Sequence, residues 1–86
     1  MEVSLLEFPC DFPIKVMGET QDAFTAAMIQ LVQRHAPDFA AASMETRSSK
    51  GGRYLSLTCT IRATSQQQLD DLYREITAHP MVVMAL

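Results

Sequence analysis

The chain has 86 residues, 48% of them hydrophobic and 20% charged, with a net charge of -3. That length suits one domain, and the apolar content with so small a net charge excludes a disordered chain. The acidic balance argues against a nucleic-acid partner, and no apolar run approaches the ~20 residues of a membrane helix. Met1-Glu2-Val3-Ser4-Leu5-Leu6-Glu7 has neither the basic start nor the apolar core of a signal peptide, so a cytoplasmic location is expected. Cys10 and Cys59 belong to no spaced pair, which leaves no ligand set for a metal or cluster and no cofactor.

Residues 1–11 read as an N-terminal arm on a single domain of residues 1–86, with Leu5, Leu6 and Phe8 packing on it. From Phe12 to Met17 the chain alternates, with Phe12, Ile14 and Val16 on one face and Pro13, Lys15 and Met17 on the other. That pattern predicts a first strand, with Pro13 at its start, because proline cannot donate a ladder bond. Gly18 is expected to end the strand in a tight turn. Thr20 is the expected N-cap of a helix over Gln21–His35, whose stripe is Phe24, Ala27, Met28, Leu31, Val32 and His35. Pro37 stops it.

Ala41–Ser48 reads as a weaker second strand, and Ser49-Lys50-Gly51-Gly52-Arg53 as a hairpin loop. Tyr54–Arg62 alternates throughout, with Leu55, Leu57, Cys59 and Ile61 against Tyr54, Ser56, Thr58, Thr60 and Arg62. It is the clearest strand in the chain. Ser65 to Gln68 is a capping box opening a second helix with Leu69, Leu72, Tyr73 and Ile76 buried and an Asp70–Arg74 surface pair. His35 and His79 lie where a cation suits a helix C-terminus. Met81–Leu86 is a final apolar strand.

The order strand, helix, strand, strand, helix, strand defines an α+β, ferredoxin-like βαββαβ sandwich. Right-handed crossovers put both helices on one face of a four-stranded antiparallel sheet. The first and third strands lie in the centre. The other face presents Lys15, Tyr54, Ser56, Thr58 and Thr60, with some of Ser43, Glu45 and Arg47.

Function is harder to read. An acylphosphatase needs an arginine after the first strand and an asparagine to place water. Here that loop is Gly18-Glu19-Thr20, and the chain contains no asparagine. No CxxC motif is present for a metal carrier, and only Tyr54 could stack a base on the open face, too little for an RNA-recognition motif. Nothing pairs a nucleophile with a base, so the chain is read as non-enzymatic.

Two binding regions remain. Free N–H groups at the strand end and helix start could hold a carboxylate near Gly18, Glu19 and Thr20, with Lys15 beside them. Arg47, Lys50, Arg53 and Arg62, with Tyr54, form a patch with no acid between Glu45 and Asp70. The open face and the apolar last strand favour a homodimer.

Leu5-Leu6-Glu7-Phe8-Pro9 through Phe12-Pro13-Ile14-Lys15-Val16-Met17-Gly18 resembles the opening of the YbeD-like bacterial proteins. The likeness continues in Val32-Gln33-Arg34-His35-Ala36-Pro37, Ser48-Ser49-Lys50-Gly51, Ile61-Arg62-Ala63-Thr64 and the ending from Val82. That family is similar to ACT-type regulatory domains, so the resemblance implies an ACT-like fold and a module that senses an amino acid or similar metabolite. It also implies a link to lipoate metabolism, and it carries over no catalytic residues. The alternative is a protein-interaction adaptor acting through the open face or an edge strand.

Overall fold

A computed structural model describes residues 7–86; the expected packing of Leu5 and Leu6 lies outside them. The elements are β1 (Cys10–Glu19), α1 (Asp22–His35), a short 3-10 turn (Ala41–Ser43), β2 (Glu45–Ser48), β3 (Tyr54–Ala63), α2 (Gln66–Ala78) and β4 (Val82–Ala85). They form one antiparallel sheet in the order β2-β3-β1-β4, with β1 and β3 central. This is the ferredoxin-like arrangement predicted from the element order. No helix among the described residues is long and apolar enough to cross a membrane.

The two central strands pair over their full length, from Cys10 opposite Ala63 to Glu19 opposite Tyr54. Their alternation sorts the side chains. Ile14 and Val16 from β1, with Leu57, Cys59, Ile61 and Ala63 from β3, are buried beneath the helices. Phe24, Met28, Leu31 and Val32 of α1 and Leu69, Leu72 and Ile76 of α2 close over them. Each fully buried Leu, Ile, Phe or Met contributes about 1.5–3 kcal/mol over leaving it exposed.

Several local expectations are corrected. The first strand runs past Gly18, which sits inside β1 between Leu55 of β3 and Val82 of β4. A side chain there would run into the Met81 carbonyl and come 2.8 Å from the Phe24 ring. The glycine is needed for this close approach between strand, helix and chain end, not for a turn.

Pro13 lies within the strand, not at its start. The β4 side of β1 is paired only as far as Lys15, whose N–H donates to the Leu86 carbonyl at 3.1 Å. Two residues earlier, the proline nitrogen points to that same side, where a missing donor costs nothing.

Ala41–Ser43 is a 3-10 turn, so the second strand is only four residues long. Ser43 is therefore absent from the open face, and its hydroxyl instead donates to the Ala40 carbonyl at 2.7 Å.

The N-cap of α1 is Gln21, with no side-chain cap bond, rather than Thr20. At α2, Ser65 caps as expected, its hydroxyl accepting from the Gln68 N–H at 3.1 Å. Gln68 does not return the favour to Ser65. Its Oε1 accepts from the Thr64 N–H at 2.7 Å, and its Nε2 donates to the His35 carbonyl at 2.8 Å, tying α2 to the end of α1. The Asp70–Arg74 pair is replaced by Arg74 on Asp71 at 3.1 Å, while Asp70 accepts from Gln66.

Candidate functional site

The helices cover one face of the sheet and leave the other open, and register fixes what that face shows. Lys15, Thr58 and Glu45 form one row across β1, β3 and β2. Met17, Ser56 and Arg47 form the next, toward the hairpin. Lys15, Glu45 and Arg47 are exposed, and Ser56 and Thr58 are half-buried between them.

Among the described residues, three adjoining depressions open on this face, and Lys15 lines each of them. One, of about 170 Å³, has Glu45 and Arg47 on its far side and Ser56 and Thr58 beneath. A second, of about 210 Å³, lies toward the hairpin; Met17 and Tyr54 give it an apolar wall, and Ser48, Ser49 and Ser56 supply hydroxyls. The third extends to Pro13 and Leu86. Beyond it, at the β4 edge, Val83, Met84 and Leu86 are exposed.

The structure divides the residues singled out in the sequence. Lys15, Arg47 and Tyr54 come together on the open face. Arg53 stacks over the Tyr54 ring at 5.4 Å, a cation–π contact at the base of the hairpin. Lys50 stands at the hairpin tip, where Gly51 and Gly52 take positive φ values of 88° and 76°. Arg62 is remote from this group, at the far end of β3, where it donates to Asp11 at 3.1 Å.

The other proposed cluster is dispersed. Gly18 is on the core face, and Glu19 is exposed at the end of β1. Thr20 is engaged with the hairpin: its N–H donates to the Arg53 carbonyl at 2.9 Å and its hydroxyl to the Gly52 carbonyl at 2.7 Å. The loop into α1 therefore anchors the hairpin.

Sequence reasoning missed Ser48, Ser49 and Leu86 as lining residues. Ser48 and Ser49 straddle the boundary between strand and loop, where alternation gives no face. Leu86 is brought in only by the antiparallel pairing of β4 with Lys15.

The histidines serve the helix packing. His35 Nε2 donates to Glu75 Oε2, and Arg34 holds the other carboxylate oxygen. The His35 hydrogen bond, with help from Arg34, keeps the Glu75 carboxyl below its ordinary range. His79 Nδ1 accepts from the Met81 N–H at 3.1 Å and so fixes the turn into β4. Burial pushes the Cys59 thiol up to about 11, and burial likewise raises the Tyr73 phenol, whose hydroxyl donates to the Leu86 carbonyl at 3.0 Å.

The fold and the bare sheet face define a small ferredoxin-like α+β module. Within that class the chain belongs to the family described as "Protein of unknown function (DUF493)", whose model matches residues 3–86. It is 56% identical over 85 residues to UPF0250 protein NE1487 of Nitrosomonas europaea, covering 99% of this chain and 98% of that protein. It is 58% identical over 83 residues to UPF0250 protein RSc0326 of Ralstonia nicotianae, covering 96% and 86%. These relatives are the bacterial family that the YbeD-like resemblance indicated.

Among solved structures, protein HP0495 from H. pylori matches with a TM-score of 0.79 at 19% identity, over 99% of this chain and 89% of that one. The C-terminal domain of the MgtC protein from Mycobacterium tuberculosis matches with a TM-score of 0.65 at 15% identity, over 95% and 89%. Both likenesses are of fold.

Proposed function

We propose that this chain is a small non-catalytic binding module that acts as a protein-interaction adaptor through the uncovered face of its sheet. One observation carries the reading: the two central strands are buried by helices on one side only, and the other side offers shallow, adjoining depressions around Lys15. Shallow open surfaces with mixed hydroxyls, cations and a half-buried aromatic suit a macromolecular partner better than an enclosed metabolite.

A photo-crosslinking residue at Thr58 tests this. It should yield a defined protein adduct in cells, whereas the same residue at Gln67 on α2 should not. Adducts from both positions, or from neither, would refute the adaptor. Sedimentation of the purified chain then decides whether the partner is a second copy.

Metabolite sensing is the second reading, and the 170 Å³ depression favours it. Lys15 and Arg47 oppose Glu45 there, an arrangement that could take the carboxylate and ammonium of an amino acid. A thermal-shift screen against amino acids, lipoate and octanoate separates the two. A ligand at 100 times its dissociation constant would stabilise by about 2.7 kcal/mol, a shift on the order of 10 °C or more for this size. A flat screen is expected if the adaptor reading holds.

A further inference from the structure

The seven lysines and arginines divide into two groups. Arg34, Arg62 and Arg74 each meet a carboxylate. Lys15, Arg47, Lys50 and Arg53 have no ion-pair partner among the described residues; Arg47, Lys50 and Arg53 lie beside or on the hairpin, and Lys15 lies mid-strand on the open face, in the row that also holds Glu45. A chain of net charge -3 thus carries its unpaired cations on one sheet face and its hairpin, with Glu45 at one side of them.

The depression of about 210 Å³ lies within this group and is lined by no carboxylate. Lys15 and Arg47 flank it from β1 and β2, two strand spacings across and two residues along, or about 12 Å apart. Both side chains are long enough to reach a group held between them.

Two of the hairpin amides are engaged within the turn. The Ser49 N–H donates to the Tyr54 carbonyl and the Gly52 N–H to the Ser49 carbonyl, both at 2.8 Å. A single compact phosphate would meet only part of this group of cations. The four cations are instead strung from the sheet to the hairpin tip, which suits several charges spaced along an extended chain, where alternate residues stand about 7 Å apart.

We infer that Lys15, Arg47, Arg53 and Lys50 form a docking strip for an acidic peptide segment of a partner protein, with Tyr54 and Met17 as its apolar floor. This rests on the open face being the working surface. It deepens that reading by giving the partner's chemistry.

The test is a titration of the nitrogen-15-labelled full chain with N-acetylated hexaglutamate, with inorganic phosphate and sodium chloride at matched ionic strength as the other arms. Saturable amide shifts at Ser48, Ser49 and Ser56 are expected from the peptide alone. The Lys15→Met/Arg47→Met double variant should weaken binding roughly tenfold or more, and Arg62→Gln should leave it unchanged. These positions are exposed, and an unaltered amide spectrum elsewhere verifies the fold of each variant.

Saturable shifts from phosphate without the peptide would overturn the acidic-peptide assignment. So would peptide shifts no larger than those of chloride, or equal weakening by Arg62→Gln. A Thr58 adduct obtained together with a failed peptide titration would remove this inference and leave the adaptor standing.

Discussion

Gly18 lies where β1, the Phe24 ring and the Met81 carbonyl meet too closely for a Cβ. Gly18→Ala should therefore destabilise the domain by about 1–3 kcal/mol, the usual cost of overpacking a tight interior, measured as a lower urea midpoint. Its loss would report on the fold rather than on any ligand. Cys59 is fully buried with its thiol raised to about 11. In a Cys10→Ser variant, a thiol reagent at neutral pH should modify Cys59 only once the chain is unfolded. The Glu75 carboxyl is more acidic in the folded chain than when unfolded, because His35 donates to it. Stability from this contact is fully present above the unfolded value and fades as pH falls through the folded one. A thermal-melting series into the acid range should show Glu75→Gln converging with the parent at low pH and falling below it near neutrality.

At the scale of elements, α2 depends on Ser65, whose hydroxyl takes a first-turn N–H that no helical carbonyl can reach. Ser65→Ala should cost about 1 kcal/mol in a denaturant titration, and Ser65→Asp should restore most of it. This cap was legible in sequence because it is local. The third strand was legible too, since its alternation from Tyr54 spans nine residues and a one-residue slip would invert every side chain. Of the features that were not legible, three show why. Ala41–Ser43 has no strong propensity of its own, and the Ala40 carbonyl gathers both the Ser43 N–H and the Ser43 hydroxyl into a turn. The other two have tertiary causes. Pro13 reads as a strand start, yet it is tolerated in the interior because β4 pairs with β1 no further than Lys15. Thr20 has the chemistry of a cap, but the hairpin carbonyls of Gly52 and Arg53 compete for it and win. The candidate site shows the same division. The alternating face placed Lys15, Ser56 and Thr58 correctly, whereas the dispersal of Gly18, Glu19 and Thr20 comes from contacts distant in sequence.

For the whole molecule, stability and binding are separated across the sheet. The core side holds the buried leucines, isoleucines and phenylalanines, and the other side holds exposed or half-buried residues that no helix covers. Thr58→Lys should move the melting temperature by less than about 4 °C, so any loss of a partner in that variant reads as a surface effect. Among the described residues, the exposed large apolar side chains, Val83, Met84 and Leu86, gather at one margin of the sheet. There Met17 faces Met84 while Gly18 faces Val82, so Val83 is an extra residue that interrupts the ladder. A straight apolar border strand is a template on which further chains stack into fibres. A one-residue irregularity of this kind bends the border and makes it a poorer template for stacking further chains.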